Sequence, residues 1–449
     1  MVRAFSTVAP PGPAAATVTI PAVRAQSPRI GSSDHPAFDA FVAEIFGRLP
    51  RADQRRWAHV YTRGLLMTPG RKTVRRLAAA GSDSATAAQA LHQFVNASPW
   101  DWEPIRARLA DWVLRRSDPR ALLIGTVVLP KRGDRSCGVH RRFVPQEGRT
   151  VNCQVGIGAF LAADRATVPV DWRLLLPGAW SGDSQVRSRA RIPEGAAGVQ
   201  DSAGSQALDL LDGAGLSLPG AGPDADGVPV VADLVGFADT AMLVGGLVAR
   251  GRHFVVAAPG DLVVLPDRAA SGASGGWAGT GSAPALQPRQ RTAGGPLPAR
   301  DLLTAHDVRS PHQPPAAASV VQVRLPGIPV PLRLLGERRP DGSGGDRFWL
   351  TDLVDRPAHE ALTLARLHTG AADTMDRLAD DFGLRAFEGR SYPGWHHHMT
   401  LVSAAFAYGT LGRAGAPPSH PARASRGPQA GRPPRRARTL TTPTRTGCS

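Results

Sequence analysis

The hydrophobic period of this chain changes near Pro119, and that change dictates most of what the sequence can build. Before it, FDAFVAEIFGRL sets Phe38, Phe41, Val42, Ile45 and Phe46 at i, i+3, i+4, i+7 and i+8, the spacing of one helix face. RADQRRWAHVYTRGLL, SATAAQALHQFVNAS and WEPIRARLADWVLRR repeat the signal, the last two after Ser or Asp caps. After Pro119, the segments ALLIGTVVL, SCGVHRRFV, TVNCQVGIGAFLAA and VPVDWRLLLP are rich in β-branched and aromatic residues and are separated by turn chemistry such as KRGDR and QEGRT. Helix-like SQALDLLDGAGL, strand-like VPVVADLVG, helix-like DTAMLVGGLVARG and strand-like HFVVAAPG then alternate. Residues 35–118 therefore predict a small all-α N-terminal domain, and residues 119–408 an α/β domain whose strands lead. A Gly-rich polar run from Asp267 to Pro298 reads as a loop, part of a low-complexity insertion over about 267–320. DRFWLTDL resumes as a strand, and helical segments run on to about residue 408. Residues 1–34 and 409–449 are predicted to be disordered.

Charge points to polyanionic partners. The chain carries +16 with a pI near 11.2, as nucleic-acid-binding proteins do. Lys72 and Lys131 are its lysines, all other basic side chains being arginine, so part of the excess reflects arginine-rich codon usage. Eight arginines and no acid fall between Leu411 and Ser449 in a Pro-rich context, which reads either as an out-of-frame extension or as a solvated DNA-binding arm. Cys137, Cys153 and Cys448 form neither a disulfide framework nor a metal pattern, so free thiols and a cytoplasmic location are expected. Prolines interrupt any signal-peptide core near the N-terminus, and the sequence contains no apolar run of about 18 residues, so no membrane span is expected.

Four features invite functional readings. Gly125 interrupts an otherwise Leu/Ile/Val strand, where glycine marks a bulge, a close approach or a lost side chain. GIGAF lacks the strand–turn–helix context of a dinucleotide site and reads as a structural glycine pair. GWHHHM offers three imidazoles, but adjacent histidines diverge on a helix and no Cys or acid stands at ligand spacing, so a structural or DNA-proximal role is expected. Asp233 ends an apolar strand, where open α/β sheets place their sites, although a cap or turn role explains it equally well. On the helical segment, Arg51, Arg55, Arg56, Arg71, Arg75 and Arg76 are available to a phosphate backbone, with a solvated basic face as the competing reading.

Taken together, RRWAHVYTRGLL with PGRKTVRRLA, HQFVNASPWDWEPIR, LPKRGDRSCGVHRRF, GRTVNCQVG, DWRLLLPGAW and FEGRSYPGWHHHMTLVSAAFAY resemble insertion-sequence transposases of the DDE superfamily, over about residues 36–408. The resemblance implies an RNase H-like mixed sheet flanked by helices, behind a helical N-terminal region. It also implies three carboxylates holding two Mg²⁺ or Mn²⁺ ions for phosphodiester transfer, double-stranded insertion-sequence ends as partner, and assembly as a homo-oligomer on DNA. The first carboxylate position falls on Gly125, with Thr126 beside it, and the second on Asp233. For the third, an ungapped match from Leu364 to Ser391 places His368, Ala372 and Ala379 where Arg, Glu and Lys recur. Two of the three acids are thus replaced, and Asp373, Glu388 and Asp134 stand as substitutes. DNA contacts are expected from Arg55, Arg56, Arg71, Lys72, Lys131, Arg132, Arg141 and Arg142. The expected function is transposition of DNA ends. A catalytically silent, repressor-like DNA-binding descendant and a decayed gene product are the alternatives.

Overall fold

A computed structural model describes residues 35–144, 148–164, 166–196, 202–213, 227–267, 295–309, 318–337 and 346–412. Residues 1–34 and 413–449, with the tail arginines and Cys448, and most of the low-complexity insertion lie outside these residues; the start of the tail read as disordered, Gly409 to Leu411, is instead the last turn of a helix.

The helical half forms as its periodicity requires. Helices α1 (His35–Phe46), α2 (Ala52–Met67), α3 (Val74–Gly81), α4 (Ala87–Asn96) and α5 (Glu103–Leu114) follow in order. All five predicted α1 face residues, from Phe38 to Phe46, are buried. Thr73 caps α3 by accepting from the Arg76 amide, while α5 begins with proline in its first turn.

Four strands come next: β1 (Ala121–Pro130), β2 (His140–Val144), β3 (Arg149–Ala163) and β4 (Ala166–Leu174). They are followed by α6 (Ala179–Gly182), α7 (Ser184–Ala190), α8 (Ala203–Asp212), β5 (Val230–Asp233), α9 (Thr240–Ala249) and β6 (Phe254–Ala258). Strand order β4-β3-β1-β5-β6 is antiparallel on the β3/β4 side of β1 and parallel on the β5/β6 side. That is the RNase H-like layout, a mixed sheet flanked by helices. Strands β7 (Val263–Pro266), β8 (Leu297–Pro298), β9 (Ala318–Arg324), β10 (Leu332–Glu337) and β11 (Arg347–Thr351) extend it beyond β6 in the order β11-β10-β9-β7-β8. Within the stretch read as insertion, Leu297–Arg309 are ordered structure: β8 leads into α10 (Ala299–Arg309), which packs on β9.

Two long helices close the chain, α11 (Ala358–Asp380) across β1, β5 and β4, and α12 (Tyr392–Leu411) against α2, α4, α5 and β4. From Tyr392 to Tyr408 nearly every α12 residue is buried, so one continuous core joins the helical half to the sheet. The glycine pair of GIGAF is explained here by close approach. A Cβ on Gly156 would meet the Trp395 ring of α12 at 3.2 Å, and one on Gly158 would meet Trp172 at 2.7 Å.

The GWHHHM histidines are structural, and each has a different set of neighbours. His396 accepts at Nδ1 from Arg106 and stacks on Trp102, with ring centroids 4.5 Å apart. His397 directs its two ring nitrogens at the carbonyls of Val95 and Trp100, both 2.8 Å away. His398 accepts from the Tyr61 hydroxyl at Nδ1 (2.9 Å) if its Nε2–H donates to the Gly383 carbonyl (3.1 Å). Burial pushes the His397 and His398 imidazoles down to about 4. A neutral His397 ring satisfies one of its two carbonyls, so these acceptors partly offset the burial. Cys137 and Cys153 are buried, form no disulfide, and burial pushes the Cys137 thiol up.

Candidate active site

The sequence VVAD makes β5 a short strand, buried along its first three residues, that delivers Asp233 to its C-terminal end. Parallel pairing with β1 sets Leu122 to Gly125 beside Val230 to Asp233, so Asp233 stands next to Gly125 in register. Its carboxylate is 28% exposed and accepts a 3.3 Å bond from the Val235 amide, an Asx-type turn that leads the chain off the sheet. The cap of the following helix is Asp239, which accepts from the Met242 amide at 2.9 Å. The turn role and the site position therefore coincide at Asp233.

Gly125 has neither of the usual reasons for a strand glycine. Its pairing with Gly158 and Asp233 is regular, and a Cβ built on it meets nothing within 4 Å. Strand alternation puts Gly125 on the same sheet face as Val127, Gly156 and Gly158, the face covered by α12. What lies in front of Gly125 is room for a side chain.

Helix α11 supplies the third neighbour, His368, whose Nε2 lies 3.8 Å from Asp233 Oδ2. Burial pushes this imidazole below its usual value and Arg347 adds to the effect, with Asp233 opposing. At neutral pH the pair is consequently a polar contact rather than an ion pair. Ala372, one turn further, is about 40° round the helix from His368, whereas Asp373 is about 140° round; both are exposed. Glu388 sits elsewhere, 3.9 Å from Arg71, and Asp134 is exposed in the turn after β1. The three substitute acids are not assembled with Asp233: among the described residues there is no group of three or more His, Cys, Asp or Glu side chains placed to hold a metal ion.

Four of the eight expected DNA contacts converge on a groove of about 1030 Å³, bounded by residues 70–73, the end of β1, the C-terminal half of α11 and residues 383–388. Arg71, 80% exposed, and Arg132 are open in it. The two lysines are committed to the fold. Lys72 Nζ donates to the carbonyls of Leu65 and Thr68, and Lys131 Nζ to that of Phe387 at 2.7 Å. Burial pushes both down to about 8. Arg377 and Arg385 also line the groove, together with the acids Asp376, Asp380, Asp381 and Glu388; the acid-rich sequence around these two arginines gave no sign of a phosphate contact. Outside it, Arg55 donates to the Leu49 carbonyl, Arg56 lies over Trp57, Arg141 is exposed on β2, and Arg142 stacks on Phe237 (4.2 Å) while donating to Gly236 O.

A family model described as DDE superfamily endonuclease matches residues 44–313, well over half of the chain. The chain belongs to this family. The match includes Gly125 and Asp233 and ends before α11. No curated protein matches the chain. Membership makes this a transposase-like nuclease by descent, with DNA as the substrate class, and no described helix is long and apolar enough to cross a membrane.

DDE endonucleases typically depend on divalent metal ions, and the donor set around Asp233 does not fit a pair of them. Mg²⁺ and Mn²⁺ sites of this kind rely on hard oxygen ligands, several of them carboxylates. Here one carboxylate faces a glycine and a neutral imidazole.

Proposed function

We propose that this member of the endonuclease family works as a DNA-binding protein of the transposase type, occupying double-stranded insertion-sequence ends without ion-dependent strand cleavage of its own. The observation that carries the reading is the register at the sheet centre: Asp233 is paired with Gly125, and open space lies where a second carboxylate would stand. Phosphodiester transfer by two ions needs a clamp on both the attacking and the leaving oxygen, and a lone carboxylate supplies neither pairwise grip nor charge balance. Binding makes no such demand. Arg71 and Arg132 in the groove, with Arg377 and Arg385 beside them, are suited to phosphates, and Arg141 offers a further contact.

The test uses the purified full chain and a labelled duplex carrying candidate element ends. Affinity should fall linearly with salt on logarithmic axes, as counterion release requires, and Mg²⁺ or Mn²⁺ should produce no nicking. Nicking that disappears in Asp233→Asn would establish a live transposase instead, acting in DNA transposition with Asp233 as a metal ligand. Absence of salt-sensitive binding would remove the DNA-binding reading altogether.

A further inference from the structure

We infer that the β2–β3 hairpin is a base-contacting element, with Phe143 stacking on an unstacked or unpaired DNA base beside phosphates met by Arg141; the inference rests on the DNA-binding reading above. Phe143 is 57% exposed, more than any other large hydrophobic side chain among the described residues. Nothing in the fold explains it: its cross-strand partner is Thr150, itself exposed, and the neighbouring Val144 already serves the core. An exposed phenylalanine on a strand at the sheet margin invites edge-to-edge association unless a partner covers it.

Charge selects the partner. The hairpin sequence from His140 to Cys153 carries Arg141, Arg142 and Arg149 against a single acid, Glu147. An aromatic side chain set among arginines is the composition that grips phosphates and stacks on bases. Placement agrees. Phe143 and Arg141 alternate onto the face shared by Thr150 and Asn152, which along β3 is the face of Gly158, Gly125 and Asp233. From Thr150 to Gly158 is eight residues, about 27 Å of strand, which corresponds to about eight base pairs of duplex. Arg142, on the opposite face, ties the hairpin to the segment after Asp233 through Phe237 and the Gly236 carbonyl. The hairpin is therefore held at a fixed offset from the site that defines the family.

The experiment compares binding of the full chain to an intact duplex and to the same duplex with a short unpaired bubble, at matched salt. The wild-type protein should prefer the bubble. Phe143→Ala, a surface change with little cost to folding, should weaken bubble binding about tenfold and leave the intact duplex unchanged, with Phe143→Trp retaining the preference. Arg141→Ala should lower the salt slope by about one for both probes. Equal affinity of the wild type for the two probes, or an unchanged preference in Phe143→Ala, overturns the present inference alone. So does conversion of a DNA-free oligomer to monomer by Phe143→Ala, which would make the patch a contact between copies of this chain. Binding of neither probe overturns the DNA-binding reading and this inference with it.

Discussion

Around α12 the buried polar chemistry is densely built, whereas around Asp233 it is sparse, although both lie on one continuous core. Arg106 is 3% exposed, yet its guanidinium meets Asp171 at 2.9 Å, the Trp172 carbonyl at 2.7 Å, Thr400 at 2.8 Å and both Nδ1 and the carbonyl of His396. Three strands along the same sheet, on β5, Asp233 faces an empty space and a neutral histidine. The difference separates two demands on one fold. Groups such as Arg106 are indispensable because a buried charge without partners is costly. Converging carboxylates work the other way: without ions they repel each other, so losing them relaxes the native state. A protein can therefore keep its architecture intact while its cutting centre empties.

The sharpest way to break this comparison is at Arg106. Arg106→Ala leaves a cavity and takes the donor from His396 Nδ1, while Asp171 keeps Arg173 at 3.2 Å and the Trp172 amide; the cavity and the lost hydrogen bonds together should cost about 3–5 kcal/mol, read as a shift of the urea midpoint. A loss below about 1 kcal/mol would mean that the α12 network is no more essential than the Asp233 surroundings. Next in size is a pH effect. The His398 imidazole, held down to about 4 by burial first and Lys131 second, stays neutral in the fold while the unfolded chain protonates near 6.5. Its contribution is fully present above that value and is lost as pH falls towards 4, by about 3 kcal/mol. Urea midpoints across this window should fall more steeply for the wild type than for His398→Gln, which has no proton to take up. Parallel profiles would refute the assignment.

Legibility in the sequence followed periodicity. The α1 stripe from Phe38 to Phe46 and the strands from Ala121 to Leu174 stand where the sequence predicts, because α1 buries one regular face and the central strands β1 and β3 are continuous apolar runs buried on both. Strands β7 to β10 were not legible: VVLP and LRLLGE are short, lie beside Gly- and Pro-rich runs, and take their stability from pairing with other strands, β7 with β8 and β9 and β10 with β9 and β11. At the site, the pairing of Gly125 with Asp233 was foreseeable only through the family resemblance, since register is a property of the assembled sheet. Whether Gly125 fronts a void or a packed ring depends on side chains far away in sequence, and the same is true of Lys72 and Lys131. Their charge suggested phosphate contacts, but the fold consumes their ammonium groups on its own carbonyls.

The contrast is sharpened directly by refilling the space at Gly125. Gly125→Asp introduces a second carboxylate beside Asp233 where nothing lies within 4 Å. Like-charge repulsion should cost roughly 1–2 kcal/mol at neutral pH, partly offset by the 0.5–1 kcal/mol gained on removing a strand glycine. The net loss of about 1 kcal/mol should be regained on adding millimolar Mn²⁺, which binds the folded variant and stabilises it by mass action. Thermal unfolding with and without Mn²⁺ measures this, and the wild type should show no such gain. An equal Mn²⁺ response in both proteins would place an ion site at Asp233 that does not need position 125.

The smallest effect expected is that of Asp233→Asn on DNA affinity. If the carboxylate holds no ion, it presents a bare negative charge to an approaching phosphate, and neutralising it should tighten binding slightly, by less than about threefold, or some 0.6 kcal/mol. The Asx-type bond from the Val235 amide survives, because the asparagine carbonyl still accepts it. Were Asp233 instead working through divalent ions that bridge to the backbone of the DNA, the same change would weaken binding, and only when those ions are present. Titrations of wild type and variant in Mg²⁺ and in EDTA therefore give opposite signs for the two cases, and the sign decides even where the magnitude is small.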